Sequence, residues 1–125
     1  MIKGITKSGF KFEVNEKAIN DWEYSKLVNK YIVYEKKVLK SSEVEDNESD
    51  IYEKINNMEI YQDTLEKVLE KLLKEDGKDA FFEFIKNKND GYIVFSDVQF
   101  LFGELISEIT KLSNEAKKSM PSPTS

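Results

Sequence analysis

The sequence predicts a mainly α protein of the α+β kind, an N-terminal β-hairpin packed on a bundle of about four helices. Three observations carry that expectation. Phe10, Phe12 and Val14 alternate with Lys11 and Glu13 near the start of the chain. Most of the remainder repeats apolar residues at steps of three and four. Turn signals at Lys7-Ser8-Gly9, Asp76-Gly77 and Asn89-Asp90-Gly91 divide these segments. A chain of 125 residues suits one ordinary domain and can bury a core without a metal or disulfide staple. The expected organisation is a single helical domain over residues 1–118, followed by a disordered Ser/Pro-rich tail at 119–125.

The hairpin occupies residues 1–15. Period-two alternation marks a strand with one buried face, and Gly9 can supply the positive φ of the turn. Ile2 and Ile5 do not alternate, so the register of the first strand stays open. An isolated hairpin is marginal in water, so its aromatic face must dock on helices.

The first long helix is expected over 21–39. Asn20 is its capping residue and Glu23 the reciprocal partner three positions on. Tyr24, Leu27, Val28, Tyr31, Glu35 and Val38 then share one face, although the β-branched and aromatic run at 31–34 could also form a strand. Residues 41–50 carry Glu43, Glu45, Asp46, Glu48 and Asp50 without compensation, which predicts a solvated acidic loop. A capping box at Asp50 and Glu53 opens the longest helix, which Asp76-Gly77 ends. Along it Ile51, Ile55, Met58, Gln62, Leu65, Leu69 and Leu72 form a heptad-like stripe, widened by Tyr61, Val68 and Leu73. Its breadth indicates a core-facing helix rather than a narrow coiled-coil seam. A short helix over 78–88 presents Phe81, Phe84 and Ile85, and 92–95 is a brief extended stretch. Ser96 with Gln99 is expected to cap the last helix, whose stripe is Val98, Leu101, Phe102, Leu105, Ile109 and Leu112.

Composition excludes much chemistry. Cysteine and histidine are both absent, and all 19 basic residues are lysine. Thiolate and imidazole ligands, the commonest general base and the arginine fork for phosphate are therefore missing. The expectation is a non-enzyme with no catalytic residues, no cofactor and no metal. A net charge of −5 opposes nucleic-acid binding. The longest apolar runs are four residues and no signal-peptide pattern opens the chain, so no membrane association and a cytoplasmic location are expected. One stretch imitates a calcium loop. Placing Gly91 at the sixth position of an EF-hand puts Lys86 and Lys88 where carboxylates are required, so a plain connector is the better reading.

Four apolar residues fall off the helical stripes at about 100° per residue: Trp22, Val33, Ile60 and Phe100. Each fits a multilayered core, and exposed together they would mark a partner surface.

The run Thr6-Lys7-Ser8-Gly9-Phe10-Lys11-Phe12-Glu13-Val14, followed by Asn20-Asp21-Trp22-Glu23, resembles the start of the small tail assembly chaperones of long-tailed phages and prophages of Gram-positive bacteria. That family opens with a Gly-Phe-x-Phe strand and an acidic, aromatic helix start. Asp90-Gly91 with an aliphatic pair after it, a closing amphipathic helix and a Ser/Pro-rich terminus fit as well. The lysine- and tyrosine-rich middle and the acidic insert at 41–50 depart from the family pattern. The resemblance implies a chaperone that binds the tape measure protein, keeps its apolar helices soluble and recruits tail tube protein. It would act in the host cytoplasm, be absent from the mature virion and in many relatives have a longer, frameshifted form. Self-association is compatible with the wide stripe on the long helix. The residues read without the resemblance fit a small bacterial regulatory or interaction module lacking catalytic activity.

Overall fold

The computed structural model describes residues 2–41 and 48–119. It is mainly helical with an N-terminal antiparallel hairpin, as expected. Strands β1 (Ile2–Ile5) and β2 (Lys11–Val14) precede the single-turn α1 (Glu16–Ile19). Four longer helices follow: α2 (Trp22–Ser41), α3 (Glu48–Leu72), α4 (Gly77–Lys88) and α5 (Phe95–Ser119). Contacts gather the described residues into two compact units, one holding the hairpin, α4 and α5, the other holding α2 and α3.

In the first unit, β1 and β2 pair with Ile2 opposite Val14 and Gly4 opposite Phe12. That register resolves the irregular first strand. Gly4 occupies an inward position because a Cβ there would lie 2.7 Å from Phe12 Cζ and 2.8 Å from Leu112 Cδ1, while Ile5 points outward and is exposed. Gly9 takes φ +100° in the turn, as its position demanded. The Thr6 N–H donates to the Phe10 carbonyl at 2.9 Å, and the Phe10 N–H donates to Thr6 Oγ1 at 3.1 Å. Ser8 ties the turn to α5 by donating its N–H and hydroxyl to the Glu104 carboxylate at 3.0 and 2.8 Å. Phe10 meets Phe81 edge-on at 5.7 Å and Phe84 at 5.6 Å between ring centroids, an arrangement aromatic quadrupoles favour. Phe12, Val14, Phe81, Ile85, Val98, Leu101, Phe102, Leu105 and Ile109 are all buried, so the predicted stripes of the hairpin, α4 and α5 form the core.

In the second unit, α2 and α3 run antiparallel. Tyr31 stacks on Tyr61 at 5.3 Å with a hydroxyl contact of 3.3 Å, and one end is closed by Lys71 on Asp21 at 2.7 Å. The run at 31–34 is helical, and the predicted face from Tyr24 to Val38 is the half-buried one. Burial and then hydrogen bonding with Glu35 and Tyr61 push the Tyr31 phenol well above its ordinary range. On α3, Tyr61, Leu65, Val68, Leu69 and Leu72 are buried.

Several element ends differ from expectation. Asp21, one residue after Asn20, caps α2, its Oδ2 accepting from the Tyr24 N–H at 3.3 Å. α3 starts at Glu48, placing Asp50 inside the helix rather than at its cap, and Ser41 still belongs to α2. The expected acidic loop at 41–50 is thus shorter, and its remainder, 42–47, lies outside the described residues. α3 stops at Leu72, before Asp76-Gly77, because Leu73 bridges to Val14 and the Lys74 N–H donates to the Glu13 carbonyl at 3.1 Å. Glu75 then turns left-handed at φ +51°, and Gly77 opens α4. α5 begins at Phe95, with the Val94 carbonyl accepting from Asp97 and Val98, so Ser96 lies in its first turn rather than at its cap. It continues to Ser119, and the expected tail beyond that residue lies outside the described residues.

Two glycines inside helices should respond oppositely to alanine. A Cβ at Gly77 would sit 2.5 Å from Leu73 Cβ, so Gly77→Ala is expected to destabilise by about 1–3 kcal/mol. Nothing lies within 4 Å of a Cβ at Gly103, so Gly103→Ala should stabilise by roughly 0.5–1 kcal/mol in denaturant titrations. A second expectation concerns acid. The Lys71 hydrogen bond holds the Asp21 carboxyl below its ordinary value of 3.8. A depressed folded-state pKa contributes stability that is present above the unfolded value and lost as pH falls through the folded one. The stability gap between wild type and Asp21→Asn should therefore narrow between about pH 5 and about pH 2, measured by urea titration.

Candidate protein-binding surfaces

The connector from α4 to α5 builds the first candidate surface. Lys86 lends its carbonyl to the N–H of Asn89 at 3.1 Å and of Gly91 at 2.9 Å. This closes the helix as a Schellman turn, with Asp90 at φ +53° in the left-handed place that glycine usually takes. Asn89 Nδ2 donates to the Ile85 carbonyl at 2.9 Å and to Asp97 Oδ2 at 2.8 Å, so the Asp97 carboxylate braces the start of α5. Beside this brace lies a shallow groove of about 70 Å³ lined by Phe84, Ile85, Lys88, Asp97, Phe100 and Leu101. Lys88 Nζ sits 4.5 Å over the Phe84 ring. Phe100 is 66% exposed at the groove, and the preceding connector also exposes Tyr92 and Ile93. Neither Tyr92 nor Ile93 stands out in the sequence, because they sit in a run that reads as a short strand.

In the other unit, Trp22 is 76% exposed and Val33 49%. They are eleven residues apart on α2, which returns them to nearly the same face, about 16 Å apart along the axis. Ile60 is half-buried on α3. Of the four off-stripe residues, Trp22 and Val33 thus share a face, Ile60 is partly covered, and Phe100 belongs to the first unit.

A second set of exposed residues is not evident from sequence pattern. Ile51 and Ile55 belong by spacing to the core stripe of the long helix, yet both are about half exposed, as are Ile32 and Leu39 on α2. Tyr52 is exposed beside them. A signal was present: the α2 segment that reaches this end alternates Val38 and Leu39 with Lys36, Lys37 and Lys40, so it has few apolar residues with which to cover the stripe.

Among the described residues no cluster of three or more acidic side chains is placed to hold a metal ion. Among them, too, no helix is long and apolar enough to cross a membrane. No protein-family model, curated protein or solved structure matches this chain.

Exposed aromatic residues should be dispensable for folding. Phe100→Ser and Trp22→Ser are each expected to change stability by less than about 0.5 kcal/mol, whereas Phe81→Ala, at a fully buried position, should cost about 3–5 kcal/mol. Chemical denaturation followed by circular dichroism measures all three.

Proposed function

We propose that this protein is a tail assembly chaperone of a long-tailed phage or prophage of Gram-positive bacteria. In this reading it binds the tape measure protein, keeps that protein's apolar helices in solution and recruits tail tube protein as the tube grows. It works in the host cytoplasm, performs no catalysis, needs no cofactor and leaves before the virion is complete. The observation that carries the reading is the exposure of large apolar side chains, Phe100 with Tyr92 and Ile93 on one unit and Trp22 with Val33 on the other. Apolar patches of this kind, rimmed by charge, suit the capture of amphipathic helices. The resemblance of the hairpin and the helix start at Asn20-Asp21-Trp22-Glu23 to that family supplies the identity of the partners. A net charge of −5 keeps a chain with such patches soluble.

The groove between α4 and α5 also favours a second reading. At about 70 Å³ it suits a single side chain, which would serve a small bacterial interaction module holding one regulatory partner.

Co-expression distinguishes the two. A chaperone should co-purify with the product of a very long helical reading frame encoded beside it, or with a tube protein. Phe100→Ser and Trp22→Ser should weaken that capture at least tenfold, about 1.4 kcal/mol, without altering the circular dichroism. Failure to retain either partner would sink the chaperone reading.

A further inference from the structure

We propose that one side of the α2–α3 hairpin, at the end where the two helices are joined in sequence, is a face for self-association with a second copy of this chain. Self-association there is independent of the chaperone reading. Tyr31 meets Tyr61 and Asp21 meets Lys71, so paired positions sum to the same number and the antiparallel alignment is uniform along the hairpin. Extending that register brings Leu39 level with residues 51–55 of α3.

Direction follows from helical geometry. On α2, Ile32 and Leu39 lie about 90° to one side of the half-buried stripe that faces α3. On α3, Ile51 and Ile55 lie about 80–120° from Tyr61, in the same rotational sense about the N-to-C axis as Ile32 and Leu39 on α2, which in an antiparallel pair is the same side of the hairpin. Ile32, Leu39, Ile51 and Ile55 are 43%, 55%, 45% and 53% exposed and form one apolar strip across both helices. The strip continues the heptad-spaced stripe of α3 whose later members Leu65, Leu69 and Leu72 are buried. A stripe of that spacing packs against helices.

Charge selects the occupant. α2 carries Lys26, Lys30, Lys36, Lys37 and Lys40 against Glu23 and Glu35. From Ile51 onward, α3 carries Glu53, Glu59, Asp63, Glu66 and Glu70 against Lys54, Lys67 and Lys71. A second copy therefore offers both a basic and an acidic helix in one surface. A two-fold axis running along the hairpin sets each α2 over the α3 of the other copy, so that unlike charges meet twice and every helix is antiparallel to its neighbours. Like-on-like stacking, by contrast, would oppose lysines to lysines. In this arrangement Lys36 of one copy faces the part of α3 that carries Glu59 in the other, and both side chains are exposed.

Area sets the strength. Two helices spaced 8–10 Å apart over three to four turns present roughly 300 Å² per copy, below the ~800 Å² per partner of a stable complex. The dimer is thus weak and reversible, with a dissociation constant of roughly tens to hundreds of micromolar.

Sedimentation equilibrium of the full chain between about 10 μM and about 1 mM tests the proposal. The weight-average mass should rise towards that of a dimer, and Ile55→Lys or Leu39→Glu should shift the midpoint at least tenfold while circular dichroism stays unchanged. Lys36→Glu and Glu59→Lys should each weaken association, and the double variant should restore it. A mass that stays monomeric throughout overturns the proposal. So does association that survives Ile55→Lys and Leu39→Glu but is lost in Phe100→Ser. Failure of the double charge reversal to rescue overturns the pairing of α2 with α3.

Discussion

The return of the chain to the edge of β2 is the constraint on which the first unit depends. Val14 and Leu73 pair through the backbone, and the Lys74 N–H completes the contact on the Glu13 carbonyl. Both Val14 and Leu73 are buried, so these backbone groups are withdrawn from water and must be paired with each other. The pairing converts residues that could have continued α3 into an extended step. That step forces Glu75 into the left-handed region, and it sets Gly77 directly against Leu73. The start of α4 is fixed by the same contact, and with it the place of Phe81 under Phe10. A hairpin of two four-residue strands is marginal alone. Here it gains a third backbone contact on one edge and a ring cluster on its face.

The aromatic contacts explain why the hairpin's short strands suffice. Phe10 lies in the turn just before β2, outside the regular pairing, yet it reaches both Phe81 and Phe84. Burial of a phenylalanine contributes roughly 1.5–3 kcal/mol, and ring pairs of this geometry add about 0.5–1.5 kcal/mol. On the other side Gly4 permits β1 to approach Leu112 of α5 so closely that any larger residue would displace Phe12 or Leu112. The Glu104 carboxylate then ties down the turn by accepting two hydrogen bonds from Ser8. Hairpin and α5 are thus fastened by an apolar contact at one end and a charged one at the other.

Much of this was legible in the sequence, because period two and period 3.6 each impose a burial pattern that Phe12, Val14, Phe81, Leu101 and Leu105 obey. Helix ends were less legible. Asn20 and Asp21 are both good caps, and one-dimensional pattern cannot say which of two adjacent carbonyls the helix will enclose. The end of α3 was displaced because its cause, β2, lies almost sixty residues earlier in the chain. Surface assignment failed for Ile51 and Ile55 for a related reason. A stripe records which face of a helix is apolar, but whether a given length of that face is covered depends on how far its neighbour carries apolar residues. Trp22 and Phe100 were easier, since a large apolar residue off the stripe has few ways to be buried.

Uneven burial within the α2–α3 hairpin bears on its dynamics. Among its described side chains α2 has none that is fully buried, whereas α3 has Tyr61, Leu65, Val68, Leu69 and Leu72. The hold of α2 on α3 therefore rests on half-buried groups, chiefly the Tyr31–Tyr61 stack and the Asp21–Lys71 ion pair. Exposed ion pairs contribute little. The contact between the Tyr31 and Tyr61 hydroxyls adds a polar interaction to the stack that works only in one register. Helices held this way open locally at a lower free energy than the rest of a fold. With Ile32, Leu39, Ile51 and Ile55 also left uncovered, α2 is the helix of the pair with the least packing of its own to lose.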